Sequence, residues 1–103
     1  MTQAELLQHI KERLQALYGE RFRGLVLYGS VARGDAGDDS DIDLLCLLDG
    51  AVGSWEIIKI NDATYPLRLV ADRQFHIMPA NVSDYEAGEF GIYRAVRHEG
   101  VPV

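Results

Sequence analysis

Two aspartates, Asp41 and Asp43, stand two residues apart at the head of the run Asp41-Ile42-Asp43-Leu44-Leu45-Cys46-Leu47-Leu48. Side chains alternate along a strand, so if this run is one, both carboxylates leave on the same face while Ile42 enters the core. Carboxylates held side by side repel each other and stay ionised at low cost only with water or a cation between them. A hard divalent cation suits them best, because Mg²⁺ keeps several waters and takes one or two carboxylates together with substrate phosphates. Upstream, Gly29-Ser30 closes a second apolar run, Leu25-Val26-Leu27-Tyr28. Glycine there lets backbone N–H groups approach an anion closely, and Ser30 adds a hydroxyl donor. Arg33 lies within reach of the same anion, and Ser40 leads directly into Asp41. A phosphate-holding turn beside a cation-holding pair is the minimal kit for phosphoryl or nucleotidyl transfer.

The same residues do not fit other phosphate or metal motifs. A P-loop needs Lys after its second glycine; Gly29 to Gly34 has the spacing, but Asp35 follows. A calcium loop starting at Asp39 needs Gly sixth and Glu twelfth, where Leu44 and Gly50 stand. His9, His76 and His98 are scattered and show no zinc spacing. The plain alternative for Arg33 is an ion pair with Asp35, Asp38 or Asp39, and for Ser40 a hydrogen bond within the turn. Cys46 reads as a small core residue whose apolar neighbours blunt its reactivity.

The elements that must position these groups follow from pattern. Thr2 and Glu5 form a capping box. Leu6, Leu7, Ile10, Leu14 and Leu17 then recur at helical spacing, predicting a helix from about Ala4 to Tyr18 that stops at Gly19. The runs at 25–28 and 41–48 read as strands, the second covered on both faces. Between them lies a glycine- and acid-rich turn, with one helical turn around Val31 to Arg33. Residues 54 to 73 predict two short helices broken near Tyr65-Pro66. Gln74 to Met78 reads as a third strand ending before Pro79, Ser83 as a helix cap, and Ile92 to Val96 as part of a closing helix ending before Gly100. The order α-β-β-α-β-α implies a mixed α/β, or α+β, layer.

Composition sets limits. The 103 residues suit a single domain over 1–103, and 48% hydrophobic with 25% charged residues is a globular balance. Ten basic against 16 acidic residues give a net charge of −6, the wrong sign for a general nucleic-acid binder or for polybasic docking to a membrane. The run Leu44 to Leu48 is far too short to span a bilayer. With no secretory signal visible after Met1 and a lone cysteine, a cytoplasmic location is expected.

Gly29-Ser30-Val31-Ala32-Arg33-Gly34, followed by Ser40-Asp41-Ile42-Asp43-Leu44, resembles the signature of the minimal nucleotidyltransferases of the DNA polymerase β superfamily. Their pattern is Gly-Ser-x-Ala-Arg-Gly, a short acidic turn, then Ser-Asp-x-Asp-Leu on the next strand. The resemblance implies a polymerase β-like core with a small mixed sheet of about three strands flanked by helices. It implies Mg²⁺-dependent transfer of a nucleoside monophosphate from an NTP, ATP first, to an acceptor hydroxyl. Asp41 and Asp43 would hold the metal, and Gly29, Ser30, Arg33 and Ser40 the nucleotide. Small members are often encoded beside a helical HEPN-domain protein as a toxin–antitoxin pair. A HEPN-type partner, or a homo-oligomer, is therefore expected. The superfamily also uses a third carboxylate on a neighbouring strand. Here the face-appropriate residue is His76, with Asp72 available if that strand begins earlier. Imidazole is a poor Mg²⁺ ligand but an adequate general base. The rival readings are an antitoxin-like binding subunit with weak or no activity, and an oligomer with a relic site.

Overall fold

A computed structural model describes residues 1–34, 37 and 40–103. Its first helix, α1 (Gln3–Tyr18), starts where the capping box predicts. The Glu5 N–H donates to Thr2 Oγ1 (3.1 Å) and the Thr2 N–H donates to Glu5 Oε1 (3.0 Å). Leu6, Leu7, Ile10 and Leu14 face inward as expected, but Leu17 is exposed and Tyr18, four residues after Leu14, takes the inward place. A single 3₁₀ turn at Gly19–Arg21 leads into β1 (Phe22–Tyr28), three residues longer than the apolar run suggested. Then come the one-turn helix α2 (Gly29–Arg33), β2 (Ile42–Leu48), α3 (Ser54–Arg68), β3 (Phe75–Asn81), α4 (Val82–Ala87), α5 (Gly91–Glu99) and β4 (Val101–Pro102). The fold is α+β.

The sheet runs β3-β2-β1-β4. β1 is antiparallel to β2 and β4, and β2 is parallel to β3. One face carries Leu25, Leu27, Ile42, Leu44, Cys46, Leu48, Phe75 and Ile77 against the inward sides of α1 and α3. The other carries Val26, Leu45, Leu47 and Ala80 against α4 and α5, through Val82, Tyr85, Tyr93 and Val96. Both faces of β2 are therefore covered, which is why it is apolar without alternation. Cys46 is fully buried, and desolvation with the Glu56 charge pushes its thiol up to about 12. Among the described residues no helix is long and apolar enough to cross a membrane.

Four expectations are corrected. Residues 54–68 form one helix, not two, with Pro66 inside its last turn. The N–H that proline lacks would have served the carbonyl of exposed Asp62, which water can reach. β3 runs through Pro79 to Asn81, because an edge strand tolerates a residue without a ladder donor. The sheet has four strands rather than three; β4 is two residues long and contains Pro102, too short to leave a pattern in the sequence. Asn81, not Ser83, caps α4, accepting from the Asp84 N–H at 2.9 Å.

The Thr2 cap yields a stability prediction. Thr2→Ala should lower unfolding free energy by about 1 kcal/mol, read as a lower urea midpoint with an unchanged slope.

Candidate active site

The candidate residues gather where β1 and β2 meet at the start of β2. β1 ends at Tyr28, and the chain turns into α2 through Gly29, whose φ is +77°. The antiparallel register sets Tyr28 opposite Asp43. The Asp43 carboxylate lies so close to Gly29 that a Cβ there would stand 2.6 Å from Asp43 Oδ2. The left-handed backbone calls for glycine, and any side chain there would also push the Asp43 carboxylate out of its present place. Gly34, with φ +79°, closes α2, its N–H donating to the carbonyls of Ser30 and Val31.

Alternation along β2 then sorts its side chains. Ile42 and Leu44 are fully buried on the α1–α3 side. Asp43 leaves on the other face with Leu45 and Leu47, half-buried. His76 is the register partner of Asp43 on parallel β3, so it shares that face. Asp41, just before the strand, reaches the same group, its Oδ2 accepting from His76 Nε2 at 3.0 Å. Asp41 and His76 keep 53% and 62% side-chain exposure, so incoming ligands can reach both. A carboxylate can only accept, so Nε2 carries the proton and Nδ1 is the ring nitrogen left to take one. Burial first, then the Asp43 charge, pushes the Tyr28 phenol above its ordinary range.

The other candidates divide. Ser30 starts α2 beside Gly29, half-buried. Arg33 ends α2, and its Nη1 meets Glu99 Oε1 on α5 at 3.3 Å. Its expected partners Asp35, Asp38 and Asp39 lie outside the described residues, as does most of the acidic turn. Ser40 Oγ accepts the Gly37 N–H at 3.0 Å, so its described hydroxyl contact is within the turn. Asp72 is not brought to the group. It lines a small recess with Leu6, Ile42 and Ala71, on the α1 side of the sheet.

Three neighbours escaped sequence reasoning. Arg73 anchors the approach to Asp41, donating to the Ser40 carbonyl from Nε (3.0 Å) and Nη2 (2.7 Å) and to Gln3 Oε1 from Nη1 (3.0 Å). Glu99 holds Arg33 from 66 residues away. Neither leaves a local signal. Tyr28 did, since it directly precedes Gly29 and ends the strand paired with the acids.

Among the described residues no three His, Cys, Asp or Glu side chains form a metal cage. Exposed Asp41 and half-buried Asp43 are oxygen donors of the kind a hard cation takes when it keeps its waters and arrives with phosphate oxygens. His76 adds no oxygen donor to them.

The nucleotidyltransferase-domain family model matches residues 7–82, from α1 through the first residue of α4. No curated protein is significantly similar to the chain. A crystal structure of a toxin–antitoxin with AMP-PNP superposes with a TM-score of 0.59 at 15% identity, covering 89% of this chain and 70% of that one. A crystal structure of a Sulfolobus solfataricus protein assigned as a nucleotidyltransferase gives a TM-score of 0.51 at 20% identity, covering 97% and 80%. At these identities the likeness is one of fold. With the motif run, the site geometry and the family model all falling on the same residues, the chain belongs to the nucleotidyltransferase-domain family.

Proposed function

We propose that the chain transfers a nucleoside monophosphate from an NTP, ATP first, to an acceptor hydroxyl, and that it does so in the cytoplasm with a HEPN-type protein as partner and acceptor. One observation carries this reading: Asp43, packed on Gly29, shares a sheet face with His76, and His76 bonds Asp41. The triphosphate lies along the Gly29-Ser30 turn, where backbone N–H groups and the Ser30 hydroxyl meet its oxygens. Asp41 and Asp43 would hold Mg²⁺, which supplies neutralisation of the charge at the α-phosphate. The acceptor oxygen attacks the α-phosphorus, the bond to the bridging oxygen breaks, and pyrophosphate leaves. The acceptor proton goes to His76 Nδ1 or to water. Arg33 and Ser40 complete the nucleotide contacts once the Glu99 pair and the Gly37 bond exchange for phosphate oxygens.

The partner and the nucleotide are supported by the family membership and by the fold shared with a toxin–antitoxin that binds AMP-PNP. A second reading is favoured by His76 in the place of a third acid. On that reading the chain is an antitoxin-like subunit that binds nucleotide and partner with little transfer.

Three outcomes are expected. In the wild type, Mg²⁺ with ATP at about a hundred times its Kd raises stability by about 2.7 kcal/mol, seen as a higher Tm. Asp41→Ala and Asp43→Ala lose that shift, and a wild type without any NTP shift would leave only contact functions. Gly29→Ala costs about 1–3 kcal/mol from its positive φ and displaces the Asp43 carboxylate, so nucleotide binding falls with stability. His76→Asp supplies the missing oxygen donor and increases transfer of label from α-labelled NTP to co-purified partner at least tenfold, or about 1.4 kcal/mol. An unchanged rate would overturn the placement of position 76 as the third-acid position.

A further inference from the structure

Asp41 and Asp43 are held in place by different means. Asp43 lies inside the sheet, paired with Tyr28 of β1 on one side and with His76 of β3 on the other. Asp41 stands one residue before β2. The β1 ladder ends at the Tyr28–Asp43 pair, and its chain turns away at Gly29. On the β3 side, both peptide groups that flank Asp41 are bonded to residues 73 and 74. The Ser40 carbonyl, before it, accepts from Arg73 Nε (3.0 Å) and Nη2 (2.7 Å). The Ile42 N–H, after it, donates to the Gln74 carbonyl at 2.9 Å. That second bond runs from backbone to backbone and needs no particular side chain at 74. The first is made by a side chain, so the residue type at 73 decides it. Two N–H groups on one guanidinium edge converge on a single oxygen, a grip that an ammonium on a flexible stem does not reproduce.

The guanidinium is itself anchored. Its Nη1 donates to Gln3 Oε1 at the start of α1 (3.0 Å), and the segment is pinned two residues later by fully buried Phe75. Arg73 lines the recess with Gln3, Leu6 and Ile42 on the α1 side of the sheet. Asp43 and His76 leave on the other side. Arg73 therefore grips the backbone before Asp41 from the face opposite the one a ligand would occupy, and a direct phosphate contact is not its role. We infer that Arg73 is a positioning residue for the cation site, setting the Asp41 carboxylate where one Mg²⁺ takes it together with Asp43. The inference rests on the reading of Asp41 and Asp43 as cation ligands. A group that orients a metal ligand in this way is worth about 10- to 100-fold in metal affinity.

The test is calorimetric titration of the full chain with ATP, once with Mg²⁺ and once with EDTA in its place. The ratio of the two Kd values reads what the cation contributes. A loosened fold weakens binding in both titrations and leaves that ratio alone. Arg73→Ala and Arg73→Lys should lower the ratio about tenfold or more, with metal-free ATP bound as in the wild type. Gln3→Ala, which leaves the Ser40 carbonyl both its donors, should keep the wild-type ratio. Arg73→Ala added to Asp41→Ala should cost nothing further, because the two act on the same cation. Melts without ligand check folding, and if Arg73→Ala does not fold, Arg73→Lys carries both comparisons. Equal weakening with and without Mg²⁺ overturns the positioning role. So does a wild-type ratio in Arg73→Lys, which would leave only the charge to matter, or an additive loss in the double variant. If Asp41→Ala loses the Mg²⁺ effect while both Arg73 variants keep it, the positioning role alone falls. If Asp41→Ala keeps it, the reading of Asp41 as a cation ligand falls and takes the positioning role with it.

Discussion

The closest constraint in the site is steric. A carboxylate on β2 rests against a residue of the neighbouring turn that has no side chain, and a Cβ there would stand 2.6 Å from Asp43 Oδ2, so the carboxylate would have to turn away from the place it now holds. That contact requires Gly29 at the end of β1, the left-handed turn into α2, and the register that sets Tyr28 opposite Asp43. A slip of one residue along β2 would bring Leu44 to the turn and push Asp43 into the core. The burial of Ile42 and Leu44 prevents that slip, since their face is sealed by α1 and α3. Core packing on one side of the sheet thus holds the polar geometry on the other.

The two sheet faces are covered unequally. α1 and α3 close one face from Leu48 back to Ile42. On the other, α4 and α5 reach Leu45, Leu47 and Ala80 but leave Asp43 half-buried and His76 exposed. The start of β2 and β3 is consequently open where the acids stand, and a ligand can approach without displacing core residues. α2 bridges to α5 through Arg33 and Glu99, so the turn beside the acids is tied to the chain's last helix. Arg73 does similar work on the approach to Asp41, holding the Ser40 carbonyl and linking it to the start of α1.

Local chemistry was readable wherever a short stretch decides its own structure. The Thr2–Glu5 box, the Gly19 stop and the double-faced apolar run of β2 each depend on residues near one another in the chain. So does the alternation that puts Asp41 and Asp43 on one side of Ile42. Pro66 and Pro79 misled because proline's cost depends on what its missing N–H leaves unpaired: in the exposed last turn of α3 only the Asp62 carbonyl is freed, and an edge strand has one side with no ladder to lose. Leu17 and Tyr18 were confused because either can continue the stripe from Leu14, and only the packed sheet selects between them.

By itself the sequence determined the pair of acids, the turn that faces them, the main strands and the membership those residues announce, because each is written within a few positions of chain. The sequence named His76 with Asp72 in reserve; the parallel register of β2 and β3, with the strand starting at Phe75, is what puts His76 beside Asp43 and leaves Asp72 on the other side of the sheet. Tertiary structure alone decided that Arg33 meets Glu99 and that Ser40 is held by Arg73, contacts between residues 66 and 33 positions apart. It also decided which side of α3 is left uncovered. Periodicity marks a helix as amphipathic, but which of its apolar residues finds a partner depends on how many elements the chain can stack against it.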